Sequence, residues 1–281
     1  MNTLRGTIAA LFLAANTTFW ACIVFVLGLL RALMPVRRWR DAVTGWMDIV
    51  IDGWVGGNRI MNSALGLFRV RSTWNTTTPL KADGKYLVIC NHQSWADILV
   101  LQNTLRGVLP PLKFFTKAQL IWLPFLGQAM WLLGFPYVRR GGGGDSKSIA
   151  ASCAVFRLHP VSILNFAEGT RYTEAKWQKG DQARRHLLRP KTGGIAHVLG
   201  EMGTELDSVI DITIDYPTGA PTFWQFLCGG APLVEFDLHS LPVPVAAADR
   251  TLTETEHRNL SDWVTDRWQI KDAWLDAQRG T

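Results

Sequence analysis

The sequence predicts an α/β domain preceded by an apolar N-terminal membrane helix or helical hairpin. Two observations carry this prediction. Residues 6–30 contain no charged side chain, and beyond residue 76 short apolar runs alternate with helical stretches. An alternation of this kind is typical of α/β proteins, in which helices cover the faces of a sheet.

The N-terminal stretch is long enough to cross a membrane. Its 25 uncharged residues, Gly6 to Leu30, form a helix longer than the ~30 Å hydrocarbon layer of a bilayer. We therefore predict a membrane anchor over residues 1–35. The stretch exceeds the apolar region of a usual signal peptide and lacks a clear cleavage site before the basic cluster. Asn16, Thr17 and Thr18 interrupt its centre, so both a spanning helix and a re-entrant helix fit the pattern.

Residues 36–75 are predicted to form an amphipathic helical segment. Trp46, Val50 and Trp54 recur at steps of four, as on one face of a helix. This face fits a bilayer surface and the catalytic domain equally well. Arg37, Arg38 and Arg40 follow the anchor, and the positive-inside rule therefore predicts an inner-membrane protein whose catalytic domain faces the cytoplasm.

Residues 76–281 are predicted to form the α/β domain. Its clearest strands are Tyr86–Cys90, Val161–Phe166 and Val209–Ile214, and helices are predicted to begin at Ser94 and Ser146 and to cover residues 261–277. Residues 118–138 are also uncharged, but Pro124, Gly127 and Gly134 interrupt them. We interpret them as a surface that touches lipid or lines an acyl channel, with core packing as the alternative.

The composition limits the classes of function that fit the chain. Hydrophobic residues make up 48% of the chain, which has 13 Trp and a net charge of +6; the mean hydropathy is +0.08. This balance favours contact with membranes. No basic run is dense enough to predict nucleic-acid binding. The four cysteines are too far apart for a disulfide scaffold or a zinc site, so we predict reduced thiols and no metal. The sequence leaves the oligomeric state open.

The strongest local signal is the segment from Asn91 to Asp97, which follows a predicted strand. A histidine at the strand end, His92, can project into a cleft, and Asp97, in the first helical turn, can reach back to its ring. Ser94 and Asp97 also match a capping box, which would give both residues a purely structural role. The two interpretations are compatible.

Two further segments offer groups for an anion. Phe166 to Arg171 follows a strand and contains a glycine beside threonine and arginine, whose N–H and O–H groups suit an anionic oxygen. Residues 134–140 end in Arg139 and Arg140, which suit a phosphate or a solvated loop end. The glycines at 141–144 lack a Gly-Lys-Ser/Thr ending, so they do not form a nucleotide loop. No Gly-x-Ser-x-Gly elbow of a serine hydrolase occurs.

The order of three motifs resembles the lysophosphatidic acid acyltransferase family, also called the 1-acylglycerol-3-phosphate acyltransferases. The motifs are His-x4-Asp at residues 92–97, Gly-x-x-Tyr-Val-x-Arg at 134–140 and Glu-Gly-Thr-Arg at 168–171. Residues 124–127, 187–194 and 211–214 are similar to the branch that includes lysocardiolipin acyltransferases. The resemblance covers residues 80 to 275 and implies a central mixed sheet flanked by helices.

The resemblance also implies the roles of individual residues. His92 would deprotonate the acceptor hydroxyl and Asp97 would orient it. The glycerol phosphate would be bound by Arg140, Glu168, Gly169, Thr170 and Arg171, and Lys117 would lie near the acceptor phosphate. Ala167 stands where the family has Pro, and Tyr137 where it has Phe, which bears on acceptor preference because neither position supplies a reacting group.

The implied reaction joins two amphiphiles. The acceptor would be a lysophospholipid, the donor an acyl-CoA or acyl carrier protein thioester, and membrane lipids would surround both, with no bound cofactor or metal. Two alternatives remain at this point: an acyltransferase with a glycan or peptide acceptor, and a membrane-bound scaffold without activity in which His92 and Asp97 only cap a helix.

Overall fold

The computed structural model describes residues 2–34, 36–77, 79–138 and 145–280. The helices are α1 Thr3–Leu33, α2 Arg37–Leu65, α3 Asp97–Leu105, α4 Leu126–Leu132, α5 Asp145–Phe156, α6 Glu174–Trp177, α7 Gly193–Met202, α8 Phe223–Leu227 and α9 Glu254–Arg279. The strands are β1 Arg69–Thr76, β2 Lys85–Cys90, β3 Leu112–Phe114, β4 Thr116–Lys117, β5 Tyr137–Val138, β6 Val161–Phe166, β7 Ser208–Asp215 and β8 Leu233–Leu241.

Within these ranges, six strands form a mixed central sheet in the order β1-β8-β7-β2-β6-β3. Strands β7, β2, β6 and β3 are parallel, whereas β8 is antiparallel to β7 and parallel to β1. Val88 of β2 is in register with Leu164 of β6 and Ile210 of β7. The three strands predicted from sequence are therefore confirmed, and so is the predicted α/β class. The three strands are neighbours at the centre of the sheet.

The outer strands were not predicted. β1 lies within the predicted accessory segment 36–75, yet it pairs with β8 along its whole length. Its sequence, Arg-Val-Arg-Ser-Thr-Trp-Asn-Thr, is polar and mostly exposed, so it gives no buried-strand signal. β8 alternates apolar residues with Glu235, Asp237 and His239, a period-two pattern that would have identified it.

The sheet separates two apolar cores, because successive side chains of a strand point to opposite faces. One core contains Val88, Ile210 and Ile212 with residues of α3 and α8. The other contains Leu87 and Ile89 with residues of α5, α7 and α9. Covering both faces with helices is what allows the central strands to be almost continuously apolar.

Helix α9 is longer than predicted. It begins at Glu254, seven residues before the predicted start, because Thr253 and Glu256 form a capping box. Three of its basic residues pair with buried carboxylates of β7: Arg267 and Lys271 with Asp211, and Arg279 with Asp215. These ion pairs fix α9 to the strand that leads to the site.

The first two helices form an antiparallel hairpin. Helix α1 is unbroken through residues 16–18, so the re-entrant turn considered at this point is not formed. Among the described helices, α1 is the one long and apolar enough to cross a membrane, and only 11% of its most apolar window is buried. Asn16 bonds to the Trp54 carbonyl at 3.0 Å and to Asn58 at 2.9 Å, which satisfies the polar group inside the hairpin.

Glycines bring these two helices close together. A side chain at Gly53 would lie 2.4 Å from Trp20, and one at Gly57 would lie 2.4 Å from Asn16. Small residues at steps of four are a common means of close helix contact. The predicted helix is confirmed as α2, with one face packed and Trp46, Ile49 and Ile60 exposed on the other. The predicted face is divided, because Val50 is buried whereas Trp46 is exposed.

The uncharged segment 118–138 is packed on one side and exposed on the other, which confirms the core-packing alternative for part of it. Ala129, Met130 and Leu133 pack against the α1–α2 hairpin, whereas Trp122 and Trp131 are 82% and 60% exposed. The segment therefore contributes to a core on one side and leaves aromatic rings uncovered on the other.

Candidate active site

The site lies where three parallel strands end. β2 leads into Asn91 and His92, β6 into Ala167 and Glu168, and β7 into Tyr216. Since parallel neighbours end at the same edge of a sheet, residues far apart in sequence meet there. This carboxyl edge is the usual location of ligand sites in open α/β sheets.

His92 and Asp97 form a hydrogen-bonded pair. The Nδ1 atom of His92 lies 2.9 Å from Oδ2 of Asp97, and the side chains are 12% and 0% exposed. A carboxylate only accepts hydrogen bonds, so Nδ1 carries the hydrogen and the lone pair of the neutral ring is on Nε2. The ring also stacks on Phe166, with centroids 4.0 Å apart, which fixes its plane.

Asp97 serves the helix and the histidine together. Its Oδ2 also accepts hydrogen bonds from the backbone N–H groups of Gln93 at 2.7 Å and Ser94 at 3.0 Å. Oγ of Ser94 accepts from the N–H of Ala96, so only the Asp97 half of the capping box is formed. Helix α3 consequently begins at Asp97, three residues after the predicted start, while α5 begins at Asp145, one residue before its predicted start.

The segment from residue 91 to 97 is also tied to the end of β7. Asn91 exchanges two hydrogen bonds with the backbone of Ile214, at 2.8 and 2.9 Å. Oγ of Ser94 donates to the Pro221 carbonyl at 2.7 Å. The hydroxyl of Tyr216 donates to Oδ1 of Asp97 at 2.7 Å. Tyr216 was not among the predicted site residues, although its place directly after a predicted strand could have identified it.

Glu168 is buried directly beside His92. Its carboxylate accepts hydrogen bonds from the backbone N–H groups of His92 at 3.3 Å and Leu188 at 3.4 Å. Burial raises the pKa of Glu168 to about 8, against the opposing effect of those two N–H groups. These contacts position the backbone around His92, and the contact with a substrate implied by the resemblance stays a prediction.

The residues after Glu168 form a loop at the mouth of the site. Gly169 has φ +64°, which glycine adopts without strain. The N–H of Tyr172 donates to the His92 carbonyl at 2.7 Å, which ties the loop to the histidine. Oγ1 of Thr170 accepts from Lys176 at 2.8 Å.

Arg171 extends from this loop over the preceding motif. Its guanidinium lies 4.7 Å from the centroid of the Trp95 ring, a cation–π contact. Trp95 stands between His92 and Asp97 in sequence and is 39% exposed. The structure therefore brings a cation and the histidine to the same mouth.

Two predicted residues, Lys117 and Arg140, have no recorded contact with His92 or Asp97 within the described ranges. Lys117 is exposed on β4, the short strand that pairs with Tyr137 and Val138 of β5. Arg139 and Arg140 fall outside the described residues.

Helix α9 secures the loop before α7, since the Asp272 carboxylate accepts hydrogen bonds from the backbone N–H groups of Arg185 and His186 at 2.8 Å each.

A cavity of about 460 Å³ lies away from this site. Ala82, Pro111 and Pro160 line it, and these residues precede β2, β3 and β6. It is therefore at the amino edge of the sheet, opposite His92, and is not the cleft that the histidine faces.

The arrangement suits proton abstraction. A partly exposed imidazole, held through Nδ1 by a buried carboxylate, presents Nε2 to a hydroxyl, and the carboxylate stabilises the imidazolium that forms. A nearby arginine can accept a phosphate through two parallel hydrogen bonds.

Comparisons with known proteins give a consistent result. The family described as Acyltransferase matches residues 71–215, just over half of the 281 residues. Lysocardiolipin acyltransferase 1 of Mus musculus is 28% identical, over 96% of this chain and 73% of its own. 1-Acyl-sn-glycerol-3-phosphate acyltransferase 2 of Brassica oleracea is 27% identical over 84% of this chain, which spans only 60% of that relative.

One solved structure is also similar. The crystal structure of the 1-acyl-sn-glycerophosphate (LPA) acyltransferase PlsC from Thermotoga maritima has a TM-score of 0.48 and 17% identity. The match covers 95% of this chain and 97% of that one.

Proposed function

The chain belongs to the acyltransferase family, and we propose that it transfers a fatty acyl group from a thioester to the free hydroxyl of a lysophospholipid such as 1-acylglycerol 3-phosphate. The observation that carries this proposal is the hydrogen bond between His92 and the buried Asp97 at the carboxyl edge of the sheet. Arg171 at the same mouth supports an acceptor with a phosphate group. The names of both relatives designate glycerophospholipid acceptors.

In the proposed reaction His92 is the general base. Nε2 removes the proton of the acceptor hydroxyl while its oxygen attacks the thioester carbonyl, and the resulting tetrahedral intermediate collapses with loss of the thiolate. The proton on His92 then passes to the thiolate, so the enzyme ends as it began. Asp97 holds the ring and stabilises its charged form between these two steps. No covalent acyl-enzyme is needed.

The substrates are assigned by charge and polarity. Arg171, and Lys117 and Arg140 as the resemblance implies, bind the acceptor phosphate, because cationic donors recognise phosphate oxygens. The donor is acyl-CoA or an acyl carrier protein thioester.

We place the protein at the cytoplasmic membrane with its catalytic domain facing the cytoplasm, on the grounds of the apolar α1 and the arginines at its end.

A thiol-release assay on the purified full chain tests the reaction. The chain is reconstituted in vesicles and given an acyl-CoA with lysophosphatidate, lysocardiolipin or lysophosphatidylcholine, and product lipids are identified by mass spectrometry. We expect thiol release coupled to acylation of an acidic lysolipid. Thioester consumption only with a glycan or peptide would indicate a different acceptor, and none with any acceptor would indicate a scaffold.

A membrane wash tests the location. Because α1 exposes apolar side chains, we expect the chain to stay with membranes in high salt, which screens charges but not hydrophobic contact. Deleting residues 1–35 should release or aggregate the protein. An intact chain that dissolves in salt would contradict the proposal.

A further inference from the structure

We propose that Tyr216 is a positioning residue of the reaction: its hydroxyl holds one oxygen of Asp97, and through Asp97 it sets how readily His92 accepts a proton. This inference rests on the proposed function, because it assumes that His92 is the base. It adds a third member, from a different strand, to the His92–Asp97 pair.

The two oxygens of Asp97 have separate partners. Oδ2 accepts from His92 and from two backbone N–H groups. Oδ1 accepts from the Tyr216 hydroxyl at 2.7 Å. Asp97 is fully buried and Tyr216 is 1% exposed, so no bulk water can substitute for the hydroxyl. The tyrosine therefore prevents the carboxylate from rotating away from the ring.

Tyr216 is itself held in place by the segment it serves. The backbone of Ile214, two residues earlier, is paired with the Asn91 side chain, and the Pro221 carbonyl receives the hydrogen bond of Ser94. Asn91, Ser94 and Asp97 thus each contact residues 214–221. The end of β7 and the His92 segment are therefore joined by hydrogen bonds into one unit, with Tyr216 buried within it.

The hydroxyl keeps its proton under working conditions. Burial, and next the negative charge of Asp97, raises the pKa of Tyr216 well above its usual value. The charged or titratable groups around the unit include Cys90 of β2, Glu168 after β6, Asp211 and Asp215 of β7, and Lys271 of α9. The neutral tyrosine hydroxyl donates to Asp97, so it withdraws electron density from the carboxylate without adding charge.

Removing this donor has a predictable direction. With Tyr216→Phe, Oδ1 of Asp97 loses its hydrogen bond and the carboxylate attracts the protonated form of His92 more strongly. The free base then becomes available only at higher pH. At a fixed pH on the acidic limb we expect kcat to fall roughly 10-fold or more, the size associated with one charge-assisted hydrogen bond, because a smaller fraction of His92 is then the free base. KM for both substrates should change little, because Tyr216 touches neither.

The chain supplies a matched control. Tyr86 is also buried in the same core, and its hydroxyl accepts a hydrogen bond from the Lys81 N–H at 2.8 Å, but it lies near the amino edge of the sheet. Tyr86→Phe removes the hydroxyl of another buried tyrosine, away from the site. A structural role alone predicts the same result for both variants.

The experiment measures the pH profile of kcat/KM for the full chain in vesicles, with lysophosphatidate and an acyl-CoA. Tyr216→Phe should move the acidic limb to higher pH and lower kcat, while Tyr86→Phe should match the wild type. If the two variants behave alike, the proposal is overturned. If His92→Ala loses turnover and Tyr216→Phe does not, the proposed function stands and the role of Tyr216 is overturned. Full turnover in His92→Ala would overturn the proposed function itself.

Two further measurements keep the proposal testable if Tyr216→Phe does not fold. A ring-fluorinated tyrosine at position 216 retains the shape and is a stronger donor, so the acidic limb should move to lower pH; an unchanged limb overturns the proposal. In a double-mutant cycle, the effect of Tyr216→Phe should vanish in an Asp97→Asn background. Additive effects would mean that Tyr216 does not act through Asp97.

Discussion

The two edges of the central sheet are built from the same strands and differ in chemistry. At the carboxyl edge, β2, β6 and β7 lead into His92, Glu168 and Tyr216, whose polar groups contact one another or the backbone of the neighbouring segment. At the amino edge, the segments before β3 and β6 contribute Pro111, His159 and Pro160 to a cavity. Each edge has a histidine next to a strand; of these two, within the part of the chain that the structure describes, His92 alone is hydrogen-bonded to a buried carboxylate.

This difference shows what makes a histidine suitable as a base. His92 and His159 both lie next to the end of a strand, so this position alone does not make a histidine suitable as a base. The carboxyl edge adds three converging chain segments, each of which donates or accepts a hydrogen bond on the same unit. Preorganised dipoles of this kind stabilise charge that develops during a reaction.

The largest expected effect separates the two histidines. His92→Ala should lower turnover by on the order of 10²- to 10⁴-fold, the usual contribution of a general base. His159→Ala, at the amino edge, should leave turnover near the wild-type value. Steady-state rates with melting temperatures as folding controls decide this. Equal losses in the two folded variants would show that the carboxyl edge is not the reacting site.

An intermediate effect is expected for Arg171 at the carboxyl edge, with an arginine at the amino edge as its control. Arg171→Lys removes the planar fork that fits two phosphate oxygens and weakens stacking on Trp95, so kcat/KM for lysophosphatidate should fall about 10- to 150-fold. KM for the thioester should stay the same. Arg106→Lys, which changes the residue paired with Asp52 beside the amino-edge cavity, is the control. Loss of donor affinity alone would assign Arg171 to the other substrate.

The smallest effect concerns stability. Burial raises the pKa of Glu168 to about 8 from a usual 4.5, so the folded state binds its proton more tightly than the unfolded state. The stability from this group is fully present below about pH 4.5 and is lost as pH rises through about 8. Glu168→Gln should therefore flatten the fall in melting temperature between about pH 5 and pH 8.

Glu254→Gln provides the control, because Glu254 is exposed in the first turn of α9. This variant should keep the wild-type dependence of melting temperature on pH. If Glu168→Gln retains the full slope as well, the carboxyl of Glu168 is ionised throughout this range and the burial argument is wrong.

The sequence by itself determined the parts that depend on neighbouring residues. The uncharged run was sufficient to predict α1, and the apolar runs were sufficient to predict β2, β6 and β7. The short spacing from His92 to Asp97 allowed that pair to be predicted. The same reasoning missed β1, since an exposed edge strand carries no apolar pattern. It left a spanning and a re-entrant helix open at Asn16, because the partner of that side chain, Asn58, lies on another helix.

Only the tertiary structure decided the contacts between distant segments. Tyr216 meets Asp97 across 119 residues and Glu168 meets His92 across 76, and no periodicity or spacing specifies such pairs. The ordering of parallel strands brings their ends together, and burial then raises the pKa of Glu168, which its sequence motif did not predict. Local sequence fixes which groups are present, whereas strand order and desolvation fix which of them interact.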